Sequence, residues 1–349
     1  MTDSSLPRAY RSPHGARRTV ARRMFLASGV AAAVAGPAVL AQPLPKLRIV
    51  SFPGPSISSH SKVIIKNAGL DRKHGWELDW VIRTSSESYY NDFISGAFDS
   101  FDYSGLPVLA NFYNKGVPFK IVQATMRGPF PMMAASNVSA KRLRDLKGKR
   151  LGVDRGSYIM AYMAAMARAD GLDIEKDFSV VNVSLLQARA RLIRGDFDAA
   201  PMVFEHGLQF VSEVPGYRML FDAAAEFAQA IGVKEVYQYH AIRNDWTDKH
   251  HALIPNLHAT YKELGDFIVA NPERAIAYLA MSNAAGGANF PPELGRIDYV
   301  TGTKEGYKTV WLSRPVAQLK TEIERELKAY VDLGLIAKMP DAGILYEGK

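Results

Sequence analysis

Two stretches of the 349-residue chain repeat one ordered set of local signals at an offset of about 100 positions. Residues 46–50 and 148–153 each read as a short buried strand. The first is followed by Gly54-Pro55-Ser56 and the second by Gly156-Ser157-Tyr158, and each then runs through a helical stretch to a stop at Gly69-Leu70 or Gly171-Leu172. Further on, Ile94-Ser95-Gly96-Ala97-Phe98-Asp99 is matched by Ile193-Arg194-Gly195-Asp196-Phe197-Asp198. In both copies the glycine suits the position just past a helix end, where positive φ is needed, and the Phe-Asp pair opens a strand. A duplication of this kind restricts the chain to two similar α/β lobes.

Periodicity over the rest of the chain agrees. Alternation or short apolar runs predict strands at 76–82, 98–103, 117–124, 132–135, 180–183, 197–204 and 235–242. Helices are expected at 88–95, 106–113, 159–168, 185–193, 257–269, 272–282, 304–311 and 316–332. Strands alternating with helices give an α/β class with mixed, mostly parallel sheets. The second copy lies inside the chain of the first. Lobe 1 is therefore expected at 42–127 plus 241–349 and lobe 2, inserted, at 128–240. Two segments near 126–133 and 234–239 would join them as a hinge.

The N-terminus accounts for most of the charge. Residues 1–24 hold Arg8, Arg11, Arg17, Arg18, Arg22 and Arg23 against Asp3, and residues 25–40 carry no charge. Val39-Leu40-Ala41 before Gln42 ends the segment with small or aliphatic residues. This is the pattern of a secretory signal peptide, residues 1–41, cleaved near Ala41-Gln42. Arg22-Arg23-Met24-Phe25-Leu26 is similar to a twin-arginine export core, with Ala21 where that signal usually has Ser or Thr; a general-secretory signal is the other reading. The formal net charge of +8 falls to +3 without those six arginines and Asp3. No basic patch with interleaved aromatics remains, so no nucleic-acid partner is expected. The absence of cysteine excludes disulfides, a cysteine nucleophile and a lipid anchor on cysteine. A soluble, unanchored, monomeric periplasmic protein is expected.

The ordered motifs resemble those of the periplasmic substrate-binding proteins of nitrate/sulfonate/taurine-type ABC importers, relatives of the thiamine-pyrimidine synthase domain. The resemblance rests on the exported N-terminus, the strand at 46–50 with its Gly-Pro-Ser loop and the segment 93–116. Its other carriers are Asp145-Leu146-Lys147-Gly148 through Gly156-Ser157, Arg191 through Asp198, and Asn271-Pro272-Glu273-Arg274-Ala275. It implies the type II bilobed fold, capture of a small solute in the interlobe cleft, and delivery to a membrane permease with a cytoplasmic ATPase. A ligand-sensing protein for a membrane receptor is the alternative, and an exported enzyme a weaker one. Gly-x-Ser-x-Gly, His-Glu-x-x-His, P-loop and dinucleotide motifs are absent, and no metal or cofactor is expected.

Ligands of α/β sheets lie outside the carboxyl ends of the strands. The loops there nominate Ser56, Ser58, Tyr103, Ser104, Gly105, Arg155, Gly156, Ser157, Tyr158, Glu205 and His206 as ligand-binding. Serines at helix starts and Arg155 suit an oxyanion. Phe52, Tyr89, Tyr103 and Tyr158 suit an apolar or planar wall. A small organic solute, anionic or aromatic, is expected.

Overall fold

The computed structural model describes residues 43–127, 130–281, 291–297 and 310–348. The expected signal segment 1–41 and most of the expected helix 304–311 lie outside them. Strand β1 (Lys46–Ser51) is followed by α1 (Ile57–Ala68), β2 (Glu77–Ile82), α2 (Ser86–Ile94), β3 (Ser100–Ser104), α3 (Leu106–Asn114) and β4 (Phe119–Arg127). Next come β5 (Pro131–Ala135), β6 (Arg150–Val153), α4 (Tyr158–Ala169), β7 (Ser179–Asn182), α5 (Leu185–Ile193), β8 (Ala199–Pro201) and α6 (Phe204–Glu213). The chain continues through β9 (Tyr217–Asp222), α7 (Ala223–Ala230), β10 (Gln238–Arg243), α8 (Asn244–His250), α9 (Ile254–Ala270) and α10 (Pro272–Met281). It closes with β11 (Val310–Pro315) and α11 (Lys320–Asp332).

Two sheets result, ordered β11-β4-β10-β3-β1-β2 and β7-β6-β8-β5-β9. Without β11 they follow one plan. A parallel trio, β2-β1-β3 or β7-β6-β8, is extended by two antiparallel strands, β10-β4 or β5-β9. The strand beside each trio arrives from the other sheet: β5 follows β4, and β10 follows β9 and α7.

The repeated motif has a physical basis in both sheets. Gly96 and Gly195 take φ of 80° and 74° just past the ends of α2 and α5, where a side chain would be strained. Each chain then turns back to start the third strand of its trio. The Asp99 carboxylate accepts the backbone N–H of Arg48 at 3.0 Å and its guanidinium at 2.9 and 2.6 Å. Asp198 does the same for Arg150, at 2.8 Å to the backbone and 2.9 Å to the guanidinium. Arg48 also donates to Ala97 O and Arg150 to Asp196 O, the corresponding carbonyls. Each pair ties the first strand of a trio to the turn that opens its third strand.

Packing on the first sheet is dominated by large fully buried rings: Trp76, Tyr89, Phe93, Phe101 and Phe119. Each such side chain stabilises the fold by about 1.5–3 kcal/mol relative to exposure. The Trp76 indole donates to Thr260 at 2.8 Å, fixing α9 against this side of the molecule. In the second half α7 packs on α4, with the rings of Phe227 and Tyr162 stacked at 4.0 Å.

Three sequence expectations are corrected. Val310 and Trp311 belong to strand β11, not to a helix. The run 197–204 contributes only the strand Ala199–Pro201, and Phe204 already opens α6, so Glu205 and His206 sit on a first helical turn. Strand β9 and helices α7 and α8 were not expected; α7 begins at a capping Asp222, whose carboxylate accepts the N–H of Ala224 at 2.9 Å.

Candidate functional site

The carboxyl ends of both parallel trios face one pocket, which holds about 730 Å³ including its open mouth. From the first sheet it is lined by Phe52, Ser56 and Ser58 after β1, Thr84 after β2, Tyr103 in β3, and Met126 and Gln238. From the second come Phe130, Asp154 after β6, Tyr158 at the start of α4, Leu185 and Leu186 after β7, and Val203 to His206 after β8. This is the location that the α/β rule requires, built twice and face to face.

Of the nominated residues, Ser56, Ser58, Tyr103, Tyr158, Glu205 and His206 line the pocket; Ser104, Gly105, Arg155, Gly156 and Ser157 do not. Ser56 caps α1, and its hydroxyl donates to Pro53 O at 2.9 Å while accepting Ser59 N–H at 3.4 Å. The Ser58 hydroxyl accepts Phe52 N–H at 3.1 Å and meets the Ser51 hydroxyl at 3.0 Å. Ser157 donates to Asp154 O at 2.7 Å, and Gly156 N–H donates to Asp154 Oδ1 at 3.0 Å. Ser104 is fully buried, 3.4 Å from the Tyr90 hydroxyl. Arg155 turns outward, onto the Glu175 carboxylate and Val180 O.

Gly105 serves contact between the two halves. A β-carbon there would lie 2.9 Å from both Tyr158 Cβ and the Tyr162 hydroxyl, closer than van der Waals contact allows. The missing side chain lets the start of α3 approach α4.

Sequence reasoning missed Asp154, Phe130 and Gln238. The nearest signal for Asp154 was its place directly after the strand ending at Val153. Its carboxylate accepts the Ser86 hydroxyl at 2.8 Å, from the first turn of α2 across the cleft. Phe130 packs edge-on to Tyr158 with ring centres 5.4 Å apart. Phe52 stacks on the fully buried Tyr89 at 4.2 Å, so Tyr89 supports the wall from behind.

The electrostatics are set by burial. Burial pulls the His206 imidazole down to about 4, with the charge of Arg189 adding to it, and burial beside His206 takes His60 to about 3. Both are neutral at pH 7. The phenols of Tyr103 and Tyr158 are pushed well above their usual value, chiefly by burial. Behind the wall lies a buried pair: Lys62 donates to Asp102, which also accepts the Tyr261 hydroxyl. The Lys62 ammonium lies 4.8 Å from the centre of the Tyr103 ring. Burial pushes the lysine down and the aspartate up, and each opposes the other's shift. Among the described residues no lysine or arginine lines the pocket. No cluster of three or more metal-ligating side chains occurs among the described residues, and none of their helices is long and apolar enough to cross a membrane.

Comparison with known proteins bears on this architecture. A family model described as "NMT1/THI5 like" matches residues 100–275. No curated protein sequence matches the chain. The periplasmic aliphatic sulphonate binding protein SsuA from Escherichia coli superposes with a TM-score of 0.64 at 19% identity, covering 86% of this chain and 92% of that one. The alkanesulfonate-binding protein SsuA from Xanthomonas axonopodis pv. citri, bound to MOPS, gives 0.67 at 17% identity over 88% and 99%. The periplasmic nitrate-binding protein NrtA from Synechocystis PCC 6803 gives 0.65 at 15% identity over 86% and 84%. The fold is that of the periplasmic binding proteins.

Proposed function

Since the chain belongs to the NMT1/THI5-like family, we propose that it is the solute-binding protein of an ABC importer. It captures a small organic solute in the pocket between the two sheets and delivers it to a membrane permease driven by a cytoplasmic ATPase. Residues 1–41 direct export and are removed, leaving an unanchored periplasmic chain. The working protein comprises lobe 1, 42–127 plus 241–349, and lobe 2, 128–240, which close on the solute about their two connections.

The observation that carries this reading is the convergence of six strand ends, three from each sheet, on one aromatic-walled pocket. Such a site grips a solute from two sides and releases it when the halves part. The Asp154 carboxylate at the wall is engaged by the Ser86 hydroxyl and Gly156 N–H, and the Ser56 and Ser58 hydroxyls are held within their own loop. Binding without turnover is the corresponding chemistry.

Thermal denaturation against a library of small organic solutes tests the reading. A true ligand at a hundred times its Kd stabilises the chain by about 2.7 kcal/mol, and mass spectrometry recovers it unaltered. Time-dependent formation of a product from the ligand would overturn the reading.

A further inference from the structure

Two residues of the pocket wall carry a buried polar atom with no hydrogen-bond partner in the protein: Gln238, at its side-chain oxygen, and Tyr103, at its hydroxyl. Gln238 is 3% exposed and Tyr103 4% exposed. A buried polar atom left unpaired is costly, so a solute that pairs both removes that cost on binding. Gln238 opens β10, the strand by which the chain returns from the second sheet to the first. A bond to it therefore reaches one of the two connections between the halves.

The two atoms together call for a donor and an acceptor. An amide oxygen only accepts, so Gln238 takes an N–H or O–H. A phenol can accept or donate. Burial holds the Tyr103 phenol well above its usual value, so it keeps its proton and can meet an acceptor. The other polar groups of the wall are engaged within the protein: Ser56 and Ser58 in their own loop, Asp154 by Ser86 and Gly156, and Glu205 also interacts within the protein. Most of the remaining wall is apolar, with Phe52, Ile57, Met126, Phe130, Leu185 and Val203.

Charge separates the solutes that such a wall could hold. An anion brings acceptors only and would leave the Gln238 oxygen unpaired, where among the described residues no lysine or arginine lines the pocket. A cation brings donors only and would leave the Tyr103 proton unused. An ion of either sign also gives up its hydration to a largely apolar surface. A carboxamide carries an N–H and a C=O side by side, has no net charge and loses far less on burial.

Building on the binding-protein reading above, we propose that the pocket selects uncharged solutes with a carboxamide-type group, such as aryl amides, lactams or imides. The group's N–H is accepted by Gln238, its C=O takes the Tyr103 hydroxyl proton, and its planar body lies between Phe52 and Phe130.

The test is titration calorimetry at pH 7 with benzamide, benzoate and benzamidinium, which share one ring and nearly one shape and differ in charge. Benzamide is expected to bind at least about tenfold tighter than either ion. Tyr103→Phe and Gln238→Met are each expected to weaken benzamide binding at least about fivefold, with the ligand-free melting temperature checking that each variant folds. The comparison of the three probes on the unaltered chain does not depend on the variants. Benzoate or benzamidinium binding as tightly as benzamide would overturn this inference and leave the binding-protein reading standing. Benzamide affinity unchanged in both folded variants would overturn the assignment to Gln238 and Tyr103. Binding of none of the three would overturn the inference, and the binding-protein reading would fall with it only if the wider solute library also gave no ligand.

Discussion

The Ser86 hydroxyl donates to the Asp154 carboxylate at 2.8 Å, and this bond joins the first residue of α2, on the first sheet's side, to the loop after β6 of the second sheet. It spans the rim of the pocket, on residues that are neighbours only because the two halves face each other. Ser86→Ala removes it while leaving Asp154 its bond from Gly156 N–H. The expected outcome is a loss of about 1 kcal/mol from the solute-bound arrangement, or roughly fivefold in Kd. Titration measures the affinity, and small-angle scattering checks for a more extended ligand-free chain. Unchanged affinity and scattering would show that the bond does not contribute to closure.

The Lys62–Asp102 pair is buried completely, and Tyr103 of the pocket wall rests over the lysine. Asp102→Asn removes the charge that pairs the buried Lys62 ammonium and leaves one side-chain oxygen where the carboxylate gave one to Lys62 and one to Tyr261. A loss of about 3 kcal/mol is expected, since breaking a buried pair costs more than the pair contributes. Urea denaturation measures it. A loss below about 1 kcal/mol would indicate water reaching the pair.

Two buried groups set opposite pH dependences. His60 has a folded value of about 3, depressed by burial, against about 6.5 unfolded. The unfolded chain takes up the proton first. Stability is complete above 6.5 and falls as pH drops toward 3, by on the order of 2 kcal/mol between pH 6.5 and 5. His60→Gln is expected to flatten that limb of the denaturation profile.

Glu326 behaves inversely. Burial raises its carboxyl to about 7, against donated bonds from Tyr330 and Tyr239. Its folded pKa exceeds the unfolded 4.5, so its contribution is complete below 4.5 and is lost as pH rises through 7. Glu326→Gln is expected to raise stability at pH 8 by on the order of 2–3 kcal/mol relative to its effect at pH 4.5. Equal effects at the two pH values would contradict the assignment.

The duplicated arginine–aspartate pairs make a paired prediction. Asp99 is nearly buried and holds both the backbone and side chain of Arg48, so Asp99→Ala is expected to cost about 1–2 kcal/mol. Asp198 lies in the matching place but is more exposed, and its loss is expected to act in the same direction and less. Chemical denaturation of the two variants decides it.

Much of this organisation was legible in the sequence because it depends on local chemistry. Helix 185–193 was delimited by its periodicity and by Gly195. The repeat around Gly96 and Gly195 foretold two like units, since a positive-φ glycine and a strand-opening Asp are local requirements. What stayed hidden was long-range. The partner of Asp99 lies 51 residues back at Arg48. Strand β9 and helix α7 escaped because residues 217–230 lack a clean period, although Asp222 before an alanine run was a cap signal. At the site, residue type conveyed chemistry but not direction: Ser56 and Ser58 face the pocket with hydroxyls turned into their own loop, and Arg155 reaches Glu175 instead of the cleft.

Titration of a stabilising solute into the unaltered chain and into Thr84→Trp tests the cleft assignment most directly. Thr84 is exposed at the pocket wall, where an indole would occupy the solute's space without disturbing the core. The expected result is one solute per chain in the unaltered protein and at least tenfold weaker binding in Thr84→Trp, with the ligand-free melting temperature unchanged. Equal affinity in the two proteins would place the solute elsewhere and contradict the account.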